Sequence, residues 1–358
     1  PAHVALARRI GASATVLLKN DGDVLPLRGG PATTVALVGA CDSTHDVDAA
    51  FADWTHGDYY VVGGSGRVLS YDAVSLAAAL RARGGAPAVR LAADESLEAA
   101  LAAAEGADVI MACAGATTTE SRDRESLRLD QHDLLVALGA AALPAPLIVV
   151  SLAPGAVEAP WAANASAVVN LFLGGQETGN AVADVLLGDV NPSARLPVTF
   201  PLSEVGTTAP CDAERCVYDE GVHIGWRALQ GRPVAFEFGA GLSYTSFTYA
   251  WSAPPVLGAD GVVRMSVAVT NAGAVAGADV PQLYLRFPAA ARQPPLVLRG
   301  FAKTGLLAAG ADETVEFALT ARDLATYDGG RWRKAVGEFG AVVGASSRDH
   351  RLEASFAV

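Results

Sequence analysis

No lysine or arginine cluster occurs in these 358 residues, and the formal net charge is −12. That argues against a nucleic-acid or anionic-membrane surface, since such partners are recruited by concentrated positive charge. No unbroken apolar run reaches membrane-spanning length. The most apolar window, Ala140 to Trp161, is interrupted by Pro144, Pro146, Pro154 and Pro160 and contains Glu158, so it reads as one buried strand with its loops. Cysteine is scarce, and four residues are too few for a disulfide scaffold. Cys41 and Cys113 fall in buried-strand patterns and read as inert core thiols. Cys211 and Cys216 flank Asp212-Ala213-Glu214-Arg215 in a polar stretch where a local disulfide fits, and with no histidine at ligand spacing zinc is not expected there. There is no low-complexity tract. The chain opens directly on helix-like sequence without a signal peptide, as a processed or trimmed product would. The sequon Asn164-Ala165-Ser166 points weakly to a secretory route.

What is present is a chain rich in core-forming residues, 51% apolar and 18% charged, of a length that suggests two or three domains. Leu6, Ile10, Ala14 and Leu17 are spaced for one helical face. Buried-strand runs follow at Thr34–Gly39, Val89–Leu91, Asp108–Ala114, Leu147–Leu152 and Ala167–Leu173. Helical patterns lie between or after them at Ala73–Arg83, Ser96–Glu105, Gln131–Ala142 and Gly179–Leu187. This βαβα beat predicts an α/β fold with a mostly parallel sheet covered by helices. Near Asp189 the pattern changes. Alternating runs at Val262–Thr270, Asp279–Phe287, Glu313–Leu319, Ala341–Val343 and Leu352–Val358 predict a small antiparallel β-sandwich. The expected organisation is an α/β domain over 1–210, a linker over 211–247 and a β-sandwich over 248–358.

Two loops stand out. From Asp42 to Val62 the chain is polar and aromatic, with Phe51, Trp54, Tyr59 and Tyr60, and it ends in Gly63-Gly64-Ser65-Gly66-Arg67. That glycine run lacks both the P-loop Lys-Ser/Thr and the dinucleotide-binding spacing, so it reads as a tight turn with close backbone approach. The second loop, Thr117 to Leu127, joins a buried strand to a helix. Its hydroxyls lead into Glu120, with Arg122 and Arg124 close by. In open α/β sheets such loops, at the carboxyl ends of strands, bind ligands. This one is composed to place a carboxyl group.

These segments, in this order, resemble the C-terminal half of glycoside hydrolase family 3, the β-glucosidase and β-xylosidase group. Ala14–Asn20 with Leu25-Pro26-Leu27 resembles the opening of the family's second domain, and Gly63–Val68 its glycine loop. Glu120–Arg124 with Leu127, Leu129 and Gln131 resembles its acid/base loop. Gly175-Gln176-Glu177, Asn180, Ala183–Leu186 and Asn191–Pro197 resemble its most recognisable block, and Phe238–Thr245 the entry to its fibronectin-type-III-like domain. Asp130 stands where the family usually has proline, Ala194 where it has glycine, and Ser121 where glycine or an aromatic is common.

The resemblance implies a retaining, exo-acting β-glycosidase acting on β-linked glycosides, with no cofactor and no metal. Glu120 is then the acid/base, and Trp54 and Arg67 are the substrate-binding candidates. In some relatives a tryptophan at a place similar to Trp54 stacks on the sugar at the aglycone side, and loop packing is the other reading of Trp54. Asp123 and Arg124 are expected to pair and support the loop, and Gln176, Glu177 and Asn180 to cap and brace. The family's nucleophile belongs to a (β/α)₈ barrel for which this chain has no room. Ala52-Asp53-Trp54 looks superficially like the nucleophile motif but follows the wrong strand and is not assigned. The implied partner is therefore a barrel on a separate or cleaved chain, docked on an apolar face around Trp54, Gly63–Arg67 and Glu120. The alternative is a non-catalytic carbohydrate-binding or scaffold protein built from the same domains.

Overall fold

The computed structural model describes residues 2–43, 57–68, 72–208, 211 and 214–358. The chain divides into two compact units, Pro1–Ala194 with Phe200–Val205, and Arg195–Thr199 with Gly206–Val358.

The first unit is built on a six-stranded sheet. Its strands are β1 (Val16–Asn20), β2 (Thr34–Gly39), β3 (Ala88–Leu91), β4 (Val109–Gly115), β5 (Leu147–Ala153) and β6 (Ala167–Phe172). Their spatial order is β1-β6-β5-β4-β2-β3. All neighbouring pairs are parallel except β1 with β6, which is antiparallel. The strands β4 and β5 are buried along their whole length, because helices cover both faces of a parallel sheet and leave no position for a solvent-facing side chain. The helices are α1 (Ala2–Ala14), α2 (Leu76–Ala82), α3 (Leu97–Ala104), α4 (His132–Ala140) and α5 (Thr178–Leu186). Ser75 and Ser96 cap α2 and α3 by accepting the backbone N–H groups of Ala78 (3.0 Å) and Ala99 (3.1 Å).

Two expectations are corrected here. The helical face of Leu6, Ile10, Ala14 and Leu17 does not exist as a unit. Helix α1 ends at Ala14, and Leu17 is a fully buried residue of the antiparallel edge strand β1. The buried residues of α1 are Gly11 and Ala12, and Gly11 approaches α5 so closely that an added Cβ would lie 2.8 Å from that of Ala181. Leu6 and Ile10 stay exposed. Cys41 and Cys113 are not free thiols either: they form a buried disulfide. Cys211 and Cys216 are joined as well.

In the second unit, a four-stranded sheet of β10 (Val297–Phe301), β9 (Gln282–Arg286), β14 (Glu338–Gly344) and β15 (His350–Ala357) forms one layer. The other is a three-stranded sheet of β11 (Asp312–Leu319), β8 (Val263–Asn271) and β7 (Phe247–Leu257). All pairings are antiparallel. Val267, Leu283, Phe317 and Phe339 sit in the common core. A hairpin of β12 (Ala325–Asp328) and β13 (Arg331–Lys334) stands beside them. The segment Arg195–Leu196 is tied into this unit. Leu196 exchanges backbone hydrogen bonds with Gly239 and Ala240 (both 2.8 Å), and Arg195 pairs with the buried Asp279, which also accepts the Tyr249 hydroxyl (2.7 Å). The stretch read as a linker contributes Trp226, stacked on Phe238 at 4.9 Å.

Candidate active site

Strand β2 sends its chain towards β3, whereas the neighbouring β4 sends its chain towards β5. The crevice beyond their carboxyl ends is a topological switch point, where open α/β sheets bind ligands. The Glu120 loop leaves β4 at this point, and the loop that starts near Cys41 leaves β2.

The two loops meet through backbone. Gly63 N–H donates to Thr118 O (2.9 Å), and Gly63 and Thr119 form a parallel bridge. Glu120 N–H reaches Gly63 O (3.3 Å), and Glu120 Oε2 accepts the Ser65 N–H at 2.7 Å. Glu120 is exposed. Ser65, through its side chain and then its backbone N–H, holds the Glu120 carboxyl below the ordinary glutamate value. Gly64 has φ +91, and a Cβ there would lie 2.4 Å from Glu120 Cβ, so glycine is required on both counts. Ser121 adopts the left-handed region, φ 67, without being glycine.

The return half of the loop lines a cleft of about 610 Å³ whose described walls include Thr117, Thr119, Arg122, Asp123, Glu125 and Asp130. The lining of this cleft is polar. Two carboxylates from elsewhere brace it. Leu127 N–H donates to Glu204 Oε1 (2.7 Å), and Arg128 Nε donates to the buried Glu158 at 2.9 Å. Glu158 also accepts the Glu204 N–H (3.1 Å), and its own N–H donates to Leu127 O (3.0 Å). Arg124 does not make the expected pair with Asp123. Its guanidinium donates instead to the carbonyls of Ala156 (3.3 Å) and Arg128 (3.0 Å).

Behind this lies a third contact. Tyr59 OH donates to Asp130 Oδ2 (2.8 Å) and accepts from Gln131 Nε2 (3.1 Å), while Gln131 Oε1 takes the Gly115 N–H (3.0 Å). Arg67 closes the glycine turn, its N–H on Gly64 O at 3.0 Å. Trp54 and the Ala52-Asp53 pair lie outside the described residues. Glu177 is buried and accepts Asn180 Nδ2 (2.9 Å), a bracing role at the start of α5.

Residues 15–244 match the Glycosyl hydrolase family 3 C-terminal domain, and residues 279–347 match a Fibronectin type III-like domain. The chain belongs to glycoside hydrolase family 3. It is 36% identical to a probable beta-glucosidase L of Aspergillus terreus, over 99% of this chain and 53% of that one. It is 32% identical to the thermostable beta-glucosidase B of Acetivibrio thermocellus, over 100% and 48%. The solved beta-D-glucoside glucohydrolase of Trichoderma reesei superposes with a TM-score of 0.84 at 30% identity, covering 99% of this chain and 55% of that one. The chain spans about half the length of the curated relatives it matches.

Within this family 3 chain, Glu120 and the glycine run, read separately in the sequence, are brought together. Asp123 and Arg124 lie on the same loop but do not pair. Sequence reasoning missed Ser65, Tyr59, Glu158 and Glu204. The Ser65 contact is made by a backbone N–H, which every residue but proline carries, and the Ser65 side chain adds to it. Glu158 did carry a signal: a lone carboxylate in an apolar window needs a partner. Chemically, an exposed carboxylate held by an N–H donor is a proton acceptor at neutral pH.

Proposed function

We propose that this chain is the C-terminal portion of a retaining, exo-acting β-glycosidase of the β-glucosidase or β-xylosidase type, and that Glu120 is its acid/base. The observation that carries the reading is the Glu120 carboxylate itself, exposed and pinned at the crevice between β2 and β4. Retaining hydrolysis needs two carboxyl groups about 5–5.5 Å apart. One protonates the leaving oxygen and then activates water, and the other forms the covalent intermediate. Glu120 has the access to solvent that the first role requires. The nucleophile, in this reading, sits on a (β/α)₈ barrel outside this sequence, and Trp54 and Arg67 are the substrate-binding candidates. A second carboxylate brought near Glu120 would raise its pKa and supply the protonated acid that Ser65 alone disfavours.

The test uses the chain together with its barrel. Glu120→Ala should slow glycosides with poor leaving groups far more than activated aryl glycosides, and azide should restore turnover by replacing the water that the lost base activated. Equal activity of variant and parent on both substrate types would rule out this role of Glu120, and a pair of chain and barrel with no activity would point to the binding-module reading.

A further inference from the structure

An exposed glutamate has three rotatable side-chain bonds and normally occupies many positions. Glu120 does not have that freedom. The turn Gly64–Arg67, closed by the Arg67 N–H on Gly64 O (3.0 Å), presents the Ser65 N–H to Glu120 Oε2 at 2.7 Å. This is the short length of a charge-assisted hydrogen bond. The floor of the same turn, Gly64, lies against the carboxylate as well as the Cβ: a Cβ on Gly64 would stand 2.8 Å from Glu120 Oε2. Upstream, the Gly63–Thr118 and Glu120–Gly63 backbone bonds fix the two strands of chain that carry donor and acceptor. The carboxylate is thus fixed from the opposite loop, by backbone, at one oxygen.

From this geometry we propose that Ser65 is the positioning residue of Glu120, its backbone N–H holding the carboxylate in one place and in its base form. The proposal rests on the reading of Glu120 as acid/base and adds a consequence to it. A donor that favours the ionised form leaves less of Glu120 in the protonated form that the first step needs, and it also weakens the carboxylate as the base that takes a proton from water in the second. The charge of the nucleophile must therefore raise the pKa of Glu120 against the pull of the turn before the first step. The Glu120 pKa is lowered by the Ser65 side chain and then by the Ser65 backbone N–H, so the hydroxyl shares in the effect. Among the described residues, the other charged groups on the two loops are Asp42, Asp58 and Arg67 on the turn side, and Arg122, Asp123, Arg124, Glu125, Arg128 and Asp130 beyond Glu120.

The decisive variant is Ser65→Pro. Ser65 is the second residue of the turn, where proline is favoured, so the turn tolerates the change while the N–H and the hydroxyl are removed. Ser65→Ala keeps the N–H and should leave the Glu120 titration midpoint below the ordinary glutamate range. The carboxyl resonance of Glu120, assigned by its loss in Glu120→Gln, is followed by carbon NMR in a pH titration of the full 358-residue chain. In the parent its midpoint should fall below the ordinary glutamate range, and in Ser65→Pro it should return to that range. If Ser65→Pro does not fold, Gly64→Ala serves, because its Cβ requires the space of the carboxylate and must displace it with the same upward movement of the midpoint. An unchanged midpoint in whichever of Ser65→Pro and Gly64→Ala folds and is measured overturns the proposal. The titration does not depend on catalysis. A shifted midpoint combined with an unchanged leaving-group dependence in Glu120→Ala would therefore leave the clamp standing and remove the acid/base assignment.

Discussion

Cys41, in the turn that follows β2, is bonded to Cys113 near the end of β4, with Cα atoms 4.9 Å apart and 72 residues of sequence separation. The bond is buried and lies where the loops of the candidate site begin. In the parallel register Gly39 is the neighbour of Cys113, so two further residues on β2's side bring Cys41 alongside. Closing a loop of this length removes enough unfolded-chain entropy to stabilise the fold by about 4 kcal/mol in the chain-entropy model. The double variant Cys41→Ala/Cys113→Ala should lose stability on that order in urea unfolding under non-reducing conditions. Thiol titration of the denatured parent without reductant should find no free thiol, since Cys211 and Cys216 are bonded too. Two reactive thiols per chain would contradict the pairing.

Asp184 holds two helices against a third. Its side chain, 9% exposed on α5, accepts two hydrogen bonds from Arg8 of α1 (both 2.6 Å) and one from Arg83, the residue that closes α2. Removing one partner of a buried ion pair costs roughly 3–5 kcal/mol. Arg8 is partly exposed and Arg83 keeps Asp189, so Asp184→Ala should cost about 2–3 kcal/mol once solvent screening is allowed for. A shift of the urea midpoint with unchanged slope would measure it, and a loss under about 0.5 kcal/mol would show that the cluster is not structural.

Part of this fold was legible in the sequence. Buried parallel strands such as Val109–Gly115 read as unbroken apolar runs because both faces are covered, and the polar loop after them announced Glu120. The edge strand β1 was hidden because Leu17 falls by coincidence at helical spacing from Leu6 and Ile10. Strand β7 was hidden by Pro254 and Pro255, which sequence rules assign to edges or breaks, and it is indeed an edge strand. The Cys41–Cys113 bond has no local signal at all, since it depends on which strands become neighbours. The Ser65 contact is equally silent, because backbone donors are common to nearly every residue.

Acid should act on the sandwich through Asp260. Arg264, hydrogen-bonded to Asp260 at 3.0 and 2.7 Å, and then the Val262 N–H, lower its carboxyl to about 2. A folded-state value below the ordinary 3.8 means that the contribution is present above that pH and is lost as pH falls towards 2. Asp260→Asn should therefore lower the Tm slightly at pH 7, and the difference from the parent should disappear by about pH 2. A difference that persists or grows in acid would reverse the assigned sign.

Ser121 follows Glu120 in left-handed backbone, φ 67, a conformation that costs a residue with a Cβ roughly 1–2 kcal/mol. Ser121→Gly relieves this but loosens the unfolded chain, and the two effects nearly cancel, leaving a change within about 0.5 kcal/mol. Ser121→Val adds β-branching at the same φ and should cost about 1–2 kcal/mol or push the loop into another conformation. Thermal unfolding of the three chains checks the order, and a valine variant as stable as the parent would mean that the loop does not hold this backbone in solution.

Tyr59 links the base of one site loop to the other. Its hydroxyl sits between Asp130 and Gln131, and its ring lies flat enough on Gly115 that an added Cβ would fall 2.4 Å from ring carbons. Burial, with a smaller contribution from Asp130, raises the phenol above its ordinary 10.0, whereas the Gln131 contact lowers it. A raised folded-state value means that its contribution to stability is complete below pH 10.0 and is lost as pH rises beyond it. Tyr59→Phe should cost about 1 kcal/mol, one net hydrogen bond, since Gln131 Nε2 keeps Glu95 at 3.2 Å and Asp130 is exposed to water. Gly115→Ala should cost more, about 1–3 kcal/mol, because the ring must leave its seat. Asp130→Pro restores the residue usual in the family but removes two contacts, the hydroxyl acceptor and the Asp130 N–H on Gly115 O (2.8 Å). It should therefore destabilise this chain more than Asp130→Asn does. Ultraviolet titration of the tyrosines and urea unfolding of the four variants separate these cases. If Asp130→Pro proves as stable as Asp130→Asn, the Tyr59 contact is dispensable, and the glycine-turn backbone bonds alone hold the two loops together.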